Sequence, residues 1–425
     1  MARLLYLVHR MPYPPNKGDK VRSYHLLRQL LAHGHEVVLG SFVDDPEDWA
    51  HEAQLREWCA EVCLRPLSPR TGKLRSLTAL ASGQPLTLRY YHDAGLARWV
   101  DQQVAAGGID AAIVFSSSMA PYALAHPQLP LLTDLVDVDS AKWAGYAERH
   151  PWPLSWLYRR EGRTLLAYEA EVVRRSRHAF LVTEPEVALL ERLAPATRGR
   201  VLAMGNGVDA DFFTPDAARP RPEGWAADEP AVVFTGAMDY WPNVDAVQWF
   251  AAEMLPELRR RHPRLRLHVV GRAPTPAVQA LAGEAVVVTG TVPDVRPWLQ
   301  HAAVVVAPLR LARGVQNKVL EAMAMGRPVV AAAGCVGALD AVDGRDLLAA
   351  ETPEDYVRQI DALLRDRAMA ARIGLHGQNC VAARYSWAGR LAPLERFLRE
   401  LGSPVASGAG AAVLSAAPGP LESIR

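Results

Sequence analysis

Short apolar runs recur along the chain between stretches with helical spacing. They lie at residues 4–8, 36–41, 110–115, 131–136 and 179–182, and again at 231–234, 266–270, 285–288, 303–308 and 328–332. Runs of this kind, each followed by a helical pattern, predict parallel strands buried on both faces and covered by helices. The pattern breaks once, at Gly205-Asn-Gly-Val-Asp209 and the proline-rich stretch 214–230 that follows. A glycine-bearing segment between two such sets of runs predicts a hinge between two doubly wound α/β domains. The expected boundaries are residues 1–205 for the first domain, 206–385 for the second and 386–402 for a last helix. The Ala-, Gly-, Ser- and Pro-rich end, 403–425, has the composition of a disordered tail.

The remaining bulk properties narrow the function by exclusion. A chain of 425 residues is long enough for two cores. Lys and Arg total 47 against 46 Asp and Glu, so no global field recruits nucleic acid. The four cysteines are too few and too irregularly spaced for a disulfide framework or a zinc site. The first apolar run is shorter than a signal peptide requires, and no stretch approaches the roughly 20 apolar residues of a membrane span. A cytoplasmic protein, attached to a membrane at most by its surface, is the expectation.

The strongest chemical signal is Arg313-Gly-Val-Gln-Asn-Lys-Val-Leu-Glu321-Ala-Met-Ala-Met-Gly-Arg-Pro-Val-Val330, directly after the run 303–308. A glycine loop opens a helix, a cation stands in its first turn and a carboxylate follows one turn on. Gly326 and Pro328 then end the helix before another strand. Free N–H groups at a helix start favour a phosphate, and Lys318 adds a full charge. Glu321 stands where sugar hydroxyls can donate to it.

This segment resembles the donor site of GT-B glycosyltransferases, in particular family 4, with its Glu-Ala-Met-Ala-x-Gly-x-Pro-Val-Val ending. The resemblance implies two Rossmann-like domains facing a cleft, with the last helix packing back on the first domain. It implies a nucleotide-diphosphate sugar as donor substrate, no metal, no cofactor and retention of anomeric configuration. Glu321 matches the glutamate that contacts the ribose. The family's other glutamate falls at position 313, where this chain has arginine, so Arg313 and Lys318 are expected to clamp the diphosphate together. Gly314, Val315, Asn317 and Val319 complete the donor segment.

Other loops add to this picture. Pro14-Pro-Asn-Lys-Gly18-Asp-Lys20 follows the first run, where a doubly wound sheet meets its ligands, and gives Gly18 as a donor contact; a solvated turn capped by Asp19 explains it equally well. Asp134-Leu-Val-Asp137-Val-Asp139-Ser140 clusters carboxylates after the run 131–136. Its Asp-x-Asp spacing suits a magnesium or manganese site of the GT-A kind. The preferred reading makes Asp137 and Asp139 catalytic groups that orient acceptor hydroxyls, beside Lys318, with capping as the bland alternative. Gly236 to Asp245 follows the first run of the second half and lacks the Arg and Lys that family 4 usually places there. Arg272 ends another run, and the family sets the base against the segment of Val292. Together these segments resemble sugar transferases of PEP-CTERM and exosortase exopolysaccharide loci. No G-x-G-x-x-G follows the first run and no Walker A loop occurs.

Finally, Trp152, Trp156, Tyr158, Arg159, Arg160, Arg163, Arg174 and Arg175 mix aromatics and cations along one helical stretch, with Glu161, Glu169 and Glu171 diluting the charge. Such a face fits peripheral contact with an anionic bilayer, where polyprenyl-linked acceptors reside. An ordinary solvated helix has the same composition. The expected partners are therefore a nucleotide-sugar donor, a saccharide or polyprenyl-linked acceptor, and no nucleic acid. A GT-B epimerase and a sugar-binding scaffold are the alternatives to transfer.

Overall fold

The computed structural model describes residues 1–15, 18–310 and 315–402. Seven strands form a first sheet: β1 (Arg3–Val8), β2 (Glu36–Val43), β3 (Glu61–Pro66), β4 (Ala111–Phe115), β5 (Leu131–Val136), β6 (His178–Leu181) and β7 (Val201–Ala203). Six form a second: β8 (Ala231–Thr235), β9 (Arg266–Val270), β10 (Val286–Gly290), β11 (Val304–Ala307), β12 (Val329–Ala332) and β13 (Leu348–Ala350). The orders are β3-β2-β1-β4-β5-β6-β7 and β10-β9-β8-β11-β12-β13, with every pair parallel. Helices on both faces explain the unbroken apolar runs: Leu4 to Val8 of β1 are all fully buried.

In both sheets the winding direction reverses at the middle, between β1 and β4 and between β8 and β11. In open α/β sheets such switch points hold ligands, at the carboxyl ends of the strands. Three non-glycine residues with positive φ sit at these ends: Ser116 after β4, Val136 closing β5 and Ala273 just beyond β9. Each costs about 1–3 kcal/mol, and among the described residues the strain falls at these strand ends.

The last helix, Trp387–Gly402, follows the second domain in sequence but belongs to the first in space. Its Leu391, Leu394 and Leu398 share a core with Leu26, Leu27 and Leu30 of the helix Gly18–Ala32. The chain therefore crosses between domains twice. The two crossings touch: Val208 donates its N–H to Tyr385 O (2.8 Å) and bridges to Ser386. At Gly207 a side chain would meet Trp387 at 2.8 Å. Arg22, fully buried, fixes the first crossing to the first sheet. It forms a fork with Asp134 (2.7 and 3.1 Å) and also donates to Asn206 Oδ1 (2.9 Å) and Met204 O (2.7 Å).

The long helix Leu154–Arg175 corrects the expectation of a simple basic face. Arg160 is buried and donates to the carbonyls of Ala79 (2.8 Å) and Gln84 (3.2 Å). Of the three acidic residues only Glu171 still dilutes the surface charge, paired there with Arg174 (2.7 Å). Glu161 accepts the N–H groups of Leu86 (2.6 Å) and Thr87 (2.9 Å), and Glu169 binds Ser140, so both are withdrawn into the protein. Trp152 and Trp156 remain exposed, at 80% and 54%. Among the described residues no helix is long and apolar enough to cross a membrane.

Candidate functional site

At the switch point of the second sheet, three glycine turns end β8, β9 and β10 at Gly236, Gly271 and Gly290. Gly236 N–H bonds Val270 O (3.0 Å) and Gly271 N–H bonds Gly290 O (3.3 Å), so neighbouring turns are laced together. The approach is close enough to demand glycine. A Cβ on Gly271 would lie 1.7 Å from Gly236 O, and one on Gly236 would lie 2.8 Å from Lys318 Nζ; both residues have φ near +150°, at 155 and 153.

Lys318 reaches this edge from the helix Asn317–Ala324, which follows β11. Its Nζ donates to Asn243 Oδ1 (2.7 Å) and stands 4.1 Å from the centroid of the Phe234 ring. Asn243, from the helix Trp241–Trp249, is held in turn by Nδ2 donating to Ala237 O (2.8 Å). Neither Asn243 nor Phe234 carries a charge. Burial pulls the Lys318 ammonium down to about 7, with the Glu321 carboxylate acting the other way. Burial pushes Glu321 up to about 7 against Lys318. Glu321 lies one turn further on, and its carboxylate forms no hydrogen bond among the described residues. Asn317 and Lys318 open the helix, so their N–H groups have no acceptor within it. Asn317 Oδ1 is buried without a partner among the described residues. The guanidinium of half-buried Arg272, after β9, makes no hydrogen bond or ion pair among the described residues.

The other donor-site expectations fall out differently. Val315 and Val292 are half-buried and pack against the core of the second domain. Val319 is only 1% exposed and its N–H is taken by Gln316 O (3.0 Å), leaving neither side chain nor N–H for a ligand. Gly18 begins the helix Gly18–Ala32 and is exposed, and a Cβ placed on it would meet open space, with nothing within 4 Å. Tight backbone approach is thus not what it offers. Arg313 and Gly314 lie outside the described residues, as does Lys17.

Asp137 and Asp139 stand after β5 at the carboxyl edge of the first sheet, and both bind Lys142, at 2.8 and 2.9 Å. An ammonium is placed where the Asp-x-Asp reading would put a metal. Burial pulls Lys142 down, but Asp139 and Asp137 outweigh it and hold the ammonium above its usual range. Behind them, burial pushes Glu169 up to about 8 while it accepts from Ser140 Oγ (2.5 Å) and Ser140 N–H (3.2 Å), anchoring the helix Asp139–Arg149.

Two side chains are not marked by the sequence pattern. Asn243, the only described hydrogen-bond partner of Lys318, lies in the loop and helix start after β8 and has the look of an ordinary early helical residue. His9 follows β1 at the switch point of the first sheet, stacked on Phe115 with centroids 5.8 Å apart. Its Nε2 faces Asp19 (3.3 Å) and its Nδ1 is buried without a partner among the described residues. Arg10 joins Asp19 (2.8 Å) to Asp44 (2.8 Å) beside it. Against the upward push of burial, His9 and Arg10 hold Asp19 well below the usual carboxylate range. The signal that could have found His9 is the abrupt change from the run 4–8 to His-Arg.

Comparison with known proteins supplies the context. A family model described as glycosyl transferases group 1 matches residues 229–366, the stretch that holds all the second-domain site groups above. The chain is 29% identical over 249 residues to D-inositol 3-phosphate glycosyltransferase 2 of Catenulispora acidiphila, covering 53% of this chain and 57% of that relative's length. It is 30% identical over 286 residues to the GDP-mannose-dependent alpha-(1-6)-phosphatidylinositol monomannoside mannosyltransferase of Mycolicibacterium smegmatis, covering 59% of this chain and 69% of that one. Among solved structures, a sucrose-phosphate synthase from Thermosynechococcus elongatus superposes with a TM-score of 0.70 at 18% identity, covering 95% and 99% of the two chains. Anabaena HepE in complex with UDP-glucose gives 0.66 at 14% identity, covering 94% and 100%. The fold is GT-B.

Proposed function

The chain belongs to the glycosyl transferases of group 1, and from that premise we propose that it moves a hexose from a nucleotide-diphosphate sugar to an exopolysaccharide or lipid-linked oligosaccharide. The carrying observation is Lys318: a half-buried ammonium at the second switch point, held by a neutral amide, beside a helix start with unused N–H groups. That arrangement lacks one thing, an anion, and a sugar-linked diphosphate provides it. The relative from Mycolicibacterium smegmatis is named for GDP-mannose and the HepE structure holds UDP-glucose, which supports a nucleotide sugar without fixing its base.

In this reading Lys318 and the helix amides take the charge that develops on the departing diphosphate. Glu321 accepts from the ribose, and Arg272 reaches the donor from the neighbouring turn. Arg313 adds a second cation to the phosphates. Asp137 and Asp139, steered by Lys142, orient the acceptor hydroxyl across the cleft, and closure of the two domains excludes water. Transfer proceeds with retention and needs no metal or cofactor. The exposed Trp152 and Trp156, with Arg159 and Arg163 exposed on the same helix, bring the acceptor side to an anionic bilayer.

A panel of nucleotide sugars tests the reading. The true donor should raise the Tm in proportion to the logarithm of its excess over Kd, and should give a glycosylated product only when acceptor is added. Conversion of donor by the protein alone into an epimer would overturn transfer.

A further inference from the structure

The amino edge of the second sheet, opposite the glycine turns, opens into a cavity of about 960 Å³. Pro230, Ala303 and Pro328, which lead into β8, β11 and β12, line it together with the helix Arg367–Arg384. That helix is fixed tightly there: a Cβ on Gly374 would lie 2.1 Å from Gly326 O.

Five arginines line this cavity: Arg221, Arg261, Arg264, Arg327 and Arg367. Two are already paired, Arg261 with Asp361 (3.1 Å) and Arg264 with Asp228. Glu229, also in the wall, is occupied by Arg266 and His268, each at 3.3 Å. Three guanidiniums are left over. Arg221 lies over the Trp225 ring (5.6 Å), Arg327 gives only Nε to Met325 O (3.3 Å), and Arg367 makes no hydrogen bond or ion pair among the described residues. Burial holds Arg327 below its usual range, yet a guanidinium does not shed its proton in a protein. Its desolvation is therefore offset only by that one carbonyl until an anion arrives.

We propose that this cavity is a second anion site, which takes a phosphate-bearing small molecule through Arg221, Arg327 and Arg367. Forked guanidiniums suit phosphate oxygens, and Leu363 and Leu375 in the wall offer apolar contact to an organic remainder. The site lies at the opposite end of the sheet from Lys318 and does not rest on the donor reading.

Inorganic pyrophosphate is the probe, titrated calorimetrically into protein carrying Lys318→Ala so that the donor site is weakened. Binding should persist there. Adding Arg327→Met should weaken it about tenfold or more, the loss of one charge-assisted contact, and the exposed change Arg367→Ala should weaken it to a lesser degree. Arg327→Met should also raise the Tm of the ligand-free protein, because it removes a half-buried charge that has no counter-ion among the described residues. No pyrophosphate binding at millimolar concentration in the Lys318→Ala protein would overturn the proposal. So would Arg327→Met that lowers the Tm and leaves binding unchanged, the result expected if the guanidinium only serves the carbonyls ending the helix Asn317–Ala324.

Discussion

At the carboxyl edge of the first sheet the charged groups have counter-ions within the protein: Arg10 with Asp19 and Asp44, Arg22 with Asp134, Lys142 with Asp137 and Asp139. At the same edge of the second sheet Lys318 leans on an amide, and neither the Arg272 guanidinium nor the Glu321 carboxylate has a hydrogen-bond partner among the described residues. Both edges sit at a switch point of the same kind of fold, so topology does not cause the difference. The first edge is balanced before any ligand comes and suits a neutral partner such as a saccharide hydroxyl. The second also holds a pair, Arg310 with Asp245, but leaves Lys318 and Arg272 without a bonded carboxylate among the described residues, which weakens the empty site and concentrates its affinity on an anion.

The largest break in this comparison comes from the balanced side. Arg22→Ala leaves Asp134 buried without its counter-ion and should cost about 3–5 kcal/mol in urea denaturation of the first domain. A double change to Arg22→Met with Asp134→Leu should recover much of that loss. Near-native stability of Arg22→Ala alone would mean the fork contributes little.

On the unbalanced side the effect should move from stability to binding. Lys318→Ala and Glu321→Ala should each weaken the nucleotide sugar by about 1.5–3 kcal/mol, roughly 10–150-fold, as read by calorimetry. The ligand-free Tm should hold or rise for Lys318→Ala, since the lost ammonium had no carboxylate bonded to it. Unchanged donor affinity in either variant would remove that residue from the site.

Proton linkage sharpens the contrast further. Lys318, lowered to about 7, is mainly neutral at about pH 8, and a bound diphosphate favours its ammonium, so binding there should take up close to one proton. Glu321, raised to about 7, is mainly protonated at about pH 6, and a ribose hydroxyl that donates to it favours the carboxylate, so binding there should release a proton. Calorimetry in buffers of different ionisation enthalpy measures both. Absence of a sign change between these pH values would contradict the assigned roles.

The smallest stability effect belongs to the half-buried aspartates Asp137 and Asp139. Asp137→Asn or Asp139→Asn should change stability by only about 0–1 kcal/mol, because each pairs with Lys142 near the surface. Transfer should nevertheless fall while donor affinity stays constant. Full activity in both variants would reduce the pair to a helix-start contact.

The fold was legible wherever a strand is buried on both faces. The strands the pattern missed, β3, β7 and β13, are all edge strands with a single neighbour, and their alternating or partial burial breaks the apolar run. The helix of Lys318 and Glu321 was equally clear, because loop, cation, carboxylate and stop lie within one short stretch. Asn243 and His9 were not, since their roles depend on partners 75 and 10 residues away, Lys318 and Asp19. Arg160 and Glu161 misled for a related reason: adjacent in sequence among charged neighbours, they turn inward to bond backbone in the 79–87 segment.

The return of the helix Trp387–Gly402 to the first domain has a consequence for synthesis. The apolar side of the helix Gly18–Ala32, with Leu26, Leu27 and Leu30, is translated early, but the leucines that cover it come after residue 386. At about 5–20 residues per second, a ribosome needs on the order of ten seconds or more to cross the intervening domain. During that interval the first domain is a nascent body with one side unsealed, whereas the second can close on itself as soon as it emerges. The half of the protein made first is thus the last to be finished, and it is the half whose exposed apolar side a chaperone would meet.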